Sequence, residues 1–223
     1  MKPHLFNQQI HQIALRRSKR YYIEQYSEEF FKAFAEKSTA AFREIAPKMP
    51  DIGKSIFSLN YRFAPAYIAW YKALIELGNT REEADRNIWV MNERLLCMMP
   101  RFMLKLTGKM YLNSFRKKAE GHEKRQKAGL LHPYDWRITF RNVDSNTFEL
   151  DITECGYIKL AQDYHVRELL PGICRIDYLL SHIMGNGFER TKTLGDGNDC
   201  CNCRYHIVGD CEWAPEKGFD TRK

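Results

Sequence analysis

The sequence predicts an α+β fold, with an N-terminal helical part packed on a C-terminal antiparallel sheet of about four strands and two short helices. Three observations predict it. Apolar residues recur at three- and four-residue spacing up to about residue 128 and alternate from residue 134 onward. The turns "DSN" and "GDGND" cut the second part into strand-length pieces. The chain's 223 residues, 44% of them hydrophobic, suit one domain or one domain with a helical extension. The expected division is a helical region over 1–130 and a cysteine-containing α+β region over 131–223 that carries the site, the two forming one compact unit.

Each element has a local reason. Ser27 is placed to cap a helix whose first turn holds Glu28 and Glu29, with Phe30, Phe31, Phe34 and Phe42 near one face. "PDIGKS" around Pro50 is a break, and Asp51 is a candidate cap for the next helix. Leu59, Phe63, Tyr67, Trp70 and Leu74 continue at helical spacing until Gly78, a left-handed cap. "TREE", Thr80 to Glu83, is a capping box. The helix it opens carries Ile88, Val90, Met91, Leu95 and Leu96 and breaks or kinks at Pro100. Cys97, beside Met98 and Met99, is expected in the core. "RKKAEGHEKRQKAG" ends the helical part as a basic linker.

Beyond it, "DWRITFRNV" and "TFELDIT" alternate as the two arms of a hairpin. "CGYIKLAQDYHVRELLPG" and "CRIDYLLSHIMGNG" read as two short helices. "FERTKTL" and "CCNCRYHIV" read as two further strands, joined where Gly195 and Gly197 supply positive φ. The order is β-β-α-α-β-β.

Composition excludes several classes. The N-terminus lacks the apolar run of a secretory signal, and "FAPAYIAWYKALIELG" is interrupted by Lys72 and Glu76, so no span is expected. A cytoplasmic location without a membrane partner follows, with reduced thiols; the odd count of seven cysteines also argues against a disulfide framework. Residues 1–130 hold 24 Lys and Arg against 13 Asp and Glu, while the remainder is slightly acidic. That basic half is read mainly as solvated helix faces; no recognition motif supports nucleic acid, and no G-x-G-x-x-G or G-K-[ST] loop supports a nucleotide cofactor. A small-molecule substrate is the expected partner, and a homo-oligomer is compatible with the sequence.

The chemistry centres on the cysteines. Cys174 and Asp177 share a helix face, Cys201 and Cys203 share a strand face, and Cys200 falls on the other. Cys155 stands where a strand passes to a helix, a position that lowers a thiol's pKa. Cys155, Cys174 and Cys201 are thus placed to converge at one end of the sheet. Three readings stay open: a thiolate nucleophile with a carboxylate partner, a zinc site using the Cys200-x-x-Cys203 spacing, or buried small residues. His165, His182 and His206 carry no site assignment.

From "ECGYIKLAQDYHVRELLPGICRIDYLL" to "RTKTLGDGNDCCNCRY" the chain resembles the L-2-amino-thiazoline-4-carboxylic acid hydrolase family. The matching positions are Cys155; Cys174 and Asp177; Arg190, Thr191 and Thr193; Gly197; Asp199; and Cys201, within roughly residues 134–208. A more distant likeness is to the small-molecule-binding 4-vinyl-reductase-type domain. The resemblance implies a hydrolase that opens a small carboxylated nitrogen- or sulfur-containing ring by cysteine- and aspartate-assisted addition of water. Cys155, Cys174, Asp177, Asp199 and Cys201 would be catalytic; Arg190, Thr191, Thr193 and Cys203 would bind substrate, Arg190 as a fork for its carboxylate. No cofactor is implied. The alternative is a non-catalytic or zinc-dependent binding module on the same fold. One departure bears on substrate: where the family usually has Cys-Asp-Phe, this chain has Cys201-Asn202-Cys203.

Overall fold

The computed structural model describes residues 3–211, with side chains from residue 8 onward; the C-terminal bound of the expected second region, residue 223, lies outside them. Five helices come first: α1 (Pro3–Gln25), α2 (Glu28–Ile45), α3 (Ser58–Glu76), α4 (Arg81–Leu96) and α5 (Arg101–Lys127). The hairpin β1 (Arg137–Asn142) and β2 (Thr147–Glu154) follows, then α6 (Gly156–Asp163), α7 (Leu170–Met184), β3 (Gly187–Glu189) and β4 (Cys201–His206). The four strands form one antiparallel sheet in the order β1-β2-β4-β3. Among the described residues, no helix is long and apolar enough to cross a membrane.

The caps explain where the helices begin and end. Ser27 Oγ accepts from Phe30 N (3.0 Å). Thr80 Oγ1 accepts from Glu83 N (3.2 Å), and Glu83 returns a carboxylate oxygen to Thr80 N (2.7 Å). Gly78, at φ +89°, closes α3, with Asn79 N bonded to Leu74 O (3.1 Å). Asp51 differs from expectation. Its carboxylate accepts from Gly53 N (2.9 Å) and closes a turn, while α3 begins seven residues later at Ser58. Pro100 does not kink one helix; it separates two, standing just before α5. Cys97 is exposed rather than in the core, because it lies in the link between α4 and α5 at the outer end of both.

The sheet's two faces are sorted by alternation. Ile138, Phe148, Leu150, Ile152, Cys201 and Cys203 point inward and are buried, with Ile152 opposite Cys201 and Leu150 opposite Cys203. Outward, Arg141 pairs with Glu149 (3.0 Å) and Asp151 (2.6 Å), and Arg204 pairs with Glu149 (3.2 Å). Helices α5 and α7 contact the sheet, and one continuous hydrophobic core joins the helices to its inner face. The expected third strand is shorter than "FERTKTL": it stops at Glu189. Arg190 turns its side chain inward, and Thr193 caps a short 3-10 turn, Leu194–Asp196. Helix α7 starts at Leu170, with Pro171 in its first turn, so "LPG" belongs to it and not to α6.

Candidate active site

The 3-10 turn lays the β3–β4 connection against α7, and this brings two cysteines onto one hydroxyl. Thr193 is fully buried. Its Oγ1 donates to Cys174 Sγ (3.5 Å) and accepts from Cys201 Sγ (3.4 Å) and from Gly195 N (3.2 Å). Leu194 N donates to Cys201 Sγ (3.2 Å). The turn is anchored from α7 by Arg175, whose Nη1 lies 2.9 Å from the Asp196 carboxylate, and from within by Asn198, whose Oδ1 accepts from Thr193 N (3.1 Å). Of the two expected positive-φ glycines, only Gly197 is one, at φ +87°. Gly195 is needed for a different reason: a Cβ there would stand 2.7 Å from Cys174 Sγ.

One turn along α7, Asp177 accepts from Arg190 Nη1 (2.9 Å), while Arg190 Nη2 donates to Cys174 O (2.6 Å). The Arg190 side chain is 2% exposed and Asp177's is 32%. The guanidinium lies over the rings of Phe188 (5.1 Å) and Tyr178 (5.5 Å). Burial opposes its charge, and Asp177 with the thiols of Cys203, Cys174 and Cys201 more than restores it. The Arg190 guanidinium is thus buried and already bonded to Asp177 and to the Cys174 carbonyl.

The thiols and the carboxyl respond to burial in the same sense. Burial pushes Cys174 up to about 11, against the pull of Arg190 and of the Thr193 hydroxyl. Burial also pushes Asp177 above the usual carboxylate range, and Arg190 draws it part of the way back. Cys155 is the N-cap residue of α6, as expected, yet its thiol is raised rather than lowered. Burial and the neighbouring Cys174 outweigh the N–H groups of Ile158 and Tyr157. Asp177 also raises the phenols of Tyr67, which is buried, and of the half-buried Tyr111, Tyr157 and Tyr205, burial being the larger cause for each. These tyrosines come from α3, α5, α6 and β4, and of the four only Tyr67 stands out in the sequence, as a helical core position.

Cys155, Cys174 and Asp177 keep partial solvent access, whereas Cys201 and Cys203 are buried. Asp199 and Thr191 are not part of this cluster. The Asp199 side chain is 75% exposed and pairs with Lys192 (3.2 Å), which holds its carboxyl below the usual range. Thr191 is exposed, and its Oγ1 accepts from Asn202 Nδ2 (2.8 Å). Asn202 Oδ1 in turn accepts from Thr191 N (3.1 Å) and Lys192 N (2.7 Å). Residue 202 therefore faces outward, opposite Asp151 of β2, and its side chain fastens the connection rather than meeting the thiols. An aspartate there would accept the same two N–H groups, so this departure from the family pattern leaves the cluster's charge unchanged. Cys200 stands at the outer surface before β4 while Cys203 points into the core, so their C-x-x-C spacing does not converge. Among the described residues, no group of three or more His, Cys, Asp or Glu is placed to hold a metal ion.

Residues 60–205 match the family model of the L-2-amino-thiazoline-4-carboxylic acid hydrolases. The match runs from the first turn of α3 to the penultimate residue of β4, and the chain belongs to that family. A comparison with curated proteins gave no significant match.

Proposed function

We propose that this member of the hydrolase family opens a small cyclic amidine of the 2-amino-thiazoline-4-carboxylate type, with Cys174 as nucleophile and Asp177 as proton carrier. The family's name supplies the substrate class. The observation that carries the assignment is access: the Thr193 hydroxyl joins two thiols, and of these Cys174 keeps partial solvent access while Cys201 is buried. Leu194 N–H donates to Cys201 Sγ, and the Thr193 hydroxyl stands between Cys201 Sγ and Cys174 Sγ, within reach to donate to a Cys174 thiolate. Negative charge on that sulfur is supported by the hydroxyl.

In the proposed reaction the Cys174 thiolate adds to the ring carbon between the heteroatoms. A C–S bond forms, and the C=N electron pair moves to a nitrogen that already carries its proton, the ring reacting as its amidinium form; the urea product sheds that proton to water at the end. Collapse breaks the bond from that carbon to a ring heteroatom, and the protonated Asp177 gives its proton to the departing atom. The Asp177 carboxylate then takes a proton from water, which attacks the same carbon and expels the thiolate. A carboxyl held above its usual range suits both duties. Arg190 is a positioning residue: it orients Asp177 and keeps its charged form accessible. Cys155, held protonated by burial, lines the same space. Every step uses groups of the chain itself, and no cofactor is invoked.

The test is turnover of L-2-amino-thiazoline-4-carboxylate by the purified chain, followed as the mass gain of one water. The expected result is turnover whose kcat/KM shows no thiol ionisation near about 8.5, because burial pushes the Cys174 thiol up to about 11 and the protonated Asp177 that the collapse step needs is lost as thiolate is gained. Levelling off near about 8.5, the ordinary thiol value, would contradict the role given to the buried Cys174. No turnover of this or related cyclic amidines would overturn the reading.

A further inference from the structure

Helix α5 is apolar on the side that faces away from the protein. Leu104, Gly108, Leu112 and Phe115 pack inward. On the opposite side Phe102, Leu106 and Met110 recur every four residues and are 72%, 59% and 64% exposed. Met98, Met99 and Met103 extend this stripe around the start of the helix, all of them exposed. Exposed Val208 lies beside it, sharing a shallow groove with Leu106, Lys105 and Lys109. A second groove carries the stripe past Met110 to Lys117 and Lys118. No aspartate or glutamate occurs between Glu93 and Glu120, although Asp210 lines the first groove.

We propose that this face seats the protein on an anionic lipid surface. A large apolar stripe flanked by lysines is the pattern of a helix lying in the plane of a headgroup layer, with apolar tips at the acyl boundary and ammonium groups among phosphates. Charge selects this occupant over a second copy of the chain. Self-pairing through the same stripe would set Lys105 and Lys109 against identical lysines, whereas a phosphate surface complements them. The face is an open helix flank rather than a cleft, which suits a planar partner. The expectation of no membrane partner rested on the lack of a spanning segment, and surface attachment needs none.

The test is co-sedimentation of the full chain with vesicles of phosphatidylcholine alone or mixed with phosphatidylglycerol. The expected result is pelleting with the anionic vesicles only, abolished by raised salt. It weakens about tenfold or more in Lys105→Glu/Lys109→Glu and in Phe102→Ser/Leu106→Ser/Met110→Ser. Circular dichroism melts confirm that both variants fold. Equal pelleting with both vesicle types, pelleting with neither, or wild-type behaviour of the folded variants would overturn the proposal. A concentration-dependent dimer lost in Leu106→Ser, without vesicle binding, would assign the face to a second copy instead.

Discussion

Around Trp70 the helical half matches its buried polar groups closely. Trp70 Nε1 donates to His11 Nδ1 (2.9 Å), His11 Nε2 meets Thr39 Oγ1 (3.1 Å), and Tyr67 donates to Asn92 Oδ1 (2.7 Å). His11 is fully buried and stacks on Phe42, and burial holds its ring neutral, pulled down to about 4. Around Thr193, by contrast, buried polar groups are kept charged or polarised: an arginine and an aspartate face each other, and thiols are strung on one hydroxyl. Matched neutral pairs fix a core at modest cost. A buried ion pair beside half-accessible thiols is a poor way to gain stability, and its retention points to chemistry. Substitutions in the first region should therefore change stability alone, and those in the second should change turnover first.

A large effect on both turnover and stability is expected at Asp177. Asp177→Asn should lower kcat on the order of a hundredfold or more, as loss of an acid–base group does. It should also cost roughly 3 kcal/mol, the low end for breaking a buried pair, because solvent still reaches Asp177. Adding Arg190→Met removes the stranded charge and should recover part of the lost Tm without recovering turnover. If turnover returned with Tm, Asp177 would have a structural role only.

His11 tests the other region. Its folded-state pKa lies below the ordinary histidine value, so the folded protein binds fewer protons than the unfolded chain. The stability from keeping it neutral is present above about pH 6.5 and is lost as pH falls toward about 4, amounting to about 3 kcal/mol. Denaturant midpoints across that range should show the loss in wild type and a reduced slope in His11→Phe, with kcat unchanged. Equal slopes would show that His11 is not the titrating group.

A smaller effect is expected from Gly195→Ala, whose Cβ would press on Cys174 Sγ at 2.7 Å. The strain is about 1–3 kcal/mol and falls on the nucleophile and its turn. The variant should lose kcat by more than its shift in Tm explains, and a variant as active as wild type would show that the sulfur's position is not critical.

How much of this was legible in the sequence depends on distance along the chain. The capping box at Thr80–Glu83, the Ser27 cap and the alternating hairpin rest on neighbours a few residues apart, and the spacing shows them. Cys174 and Asp177 share a helix face for the same reason. The surroundings of Arg190, Gly195 and Asp199 were not legible, because they come from another element. The approach of α7 to the β3–β4 connection turns Arg190 inward and puts Gly195 against a sulfur, while Asp199 is left in solvent. Cys97 was misread for a related reason: two methionines beside it suggest a core, but the chain is turning there between helices. The helix-end argument for Cys155 was sound about position and wrong about sign, since burial is a property of the whole fold.

The nucleophile can be tested by comparing kcat for Cys174→Ser and Cys201→Ser, with Cys97→Ala as an exposed-thiol control. A serine at 201 still carries a hydroxyl that can bond both Leu194 N and Thr193 Oγ1, so the contact with Thr193 survives. The expected result is a loss on the order of a thousandfold or more in Cys174→Ser, as for removal of an attacking group. Cys201→Ser should stay within about tenfold of wild type, and Cys97→Ala should be unchanged, with Tm preserved in all three. An active Cys174→Ser beside an inactive, folded Cys201→Ser would contradict the assignment and move the attacking sulfur to the strand.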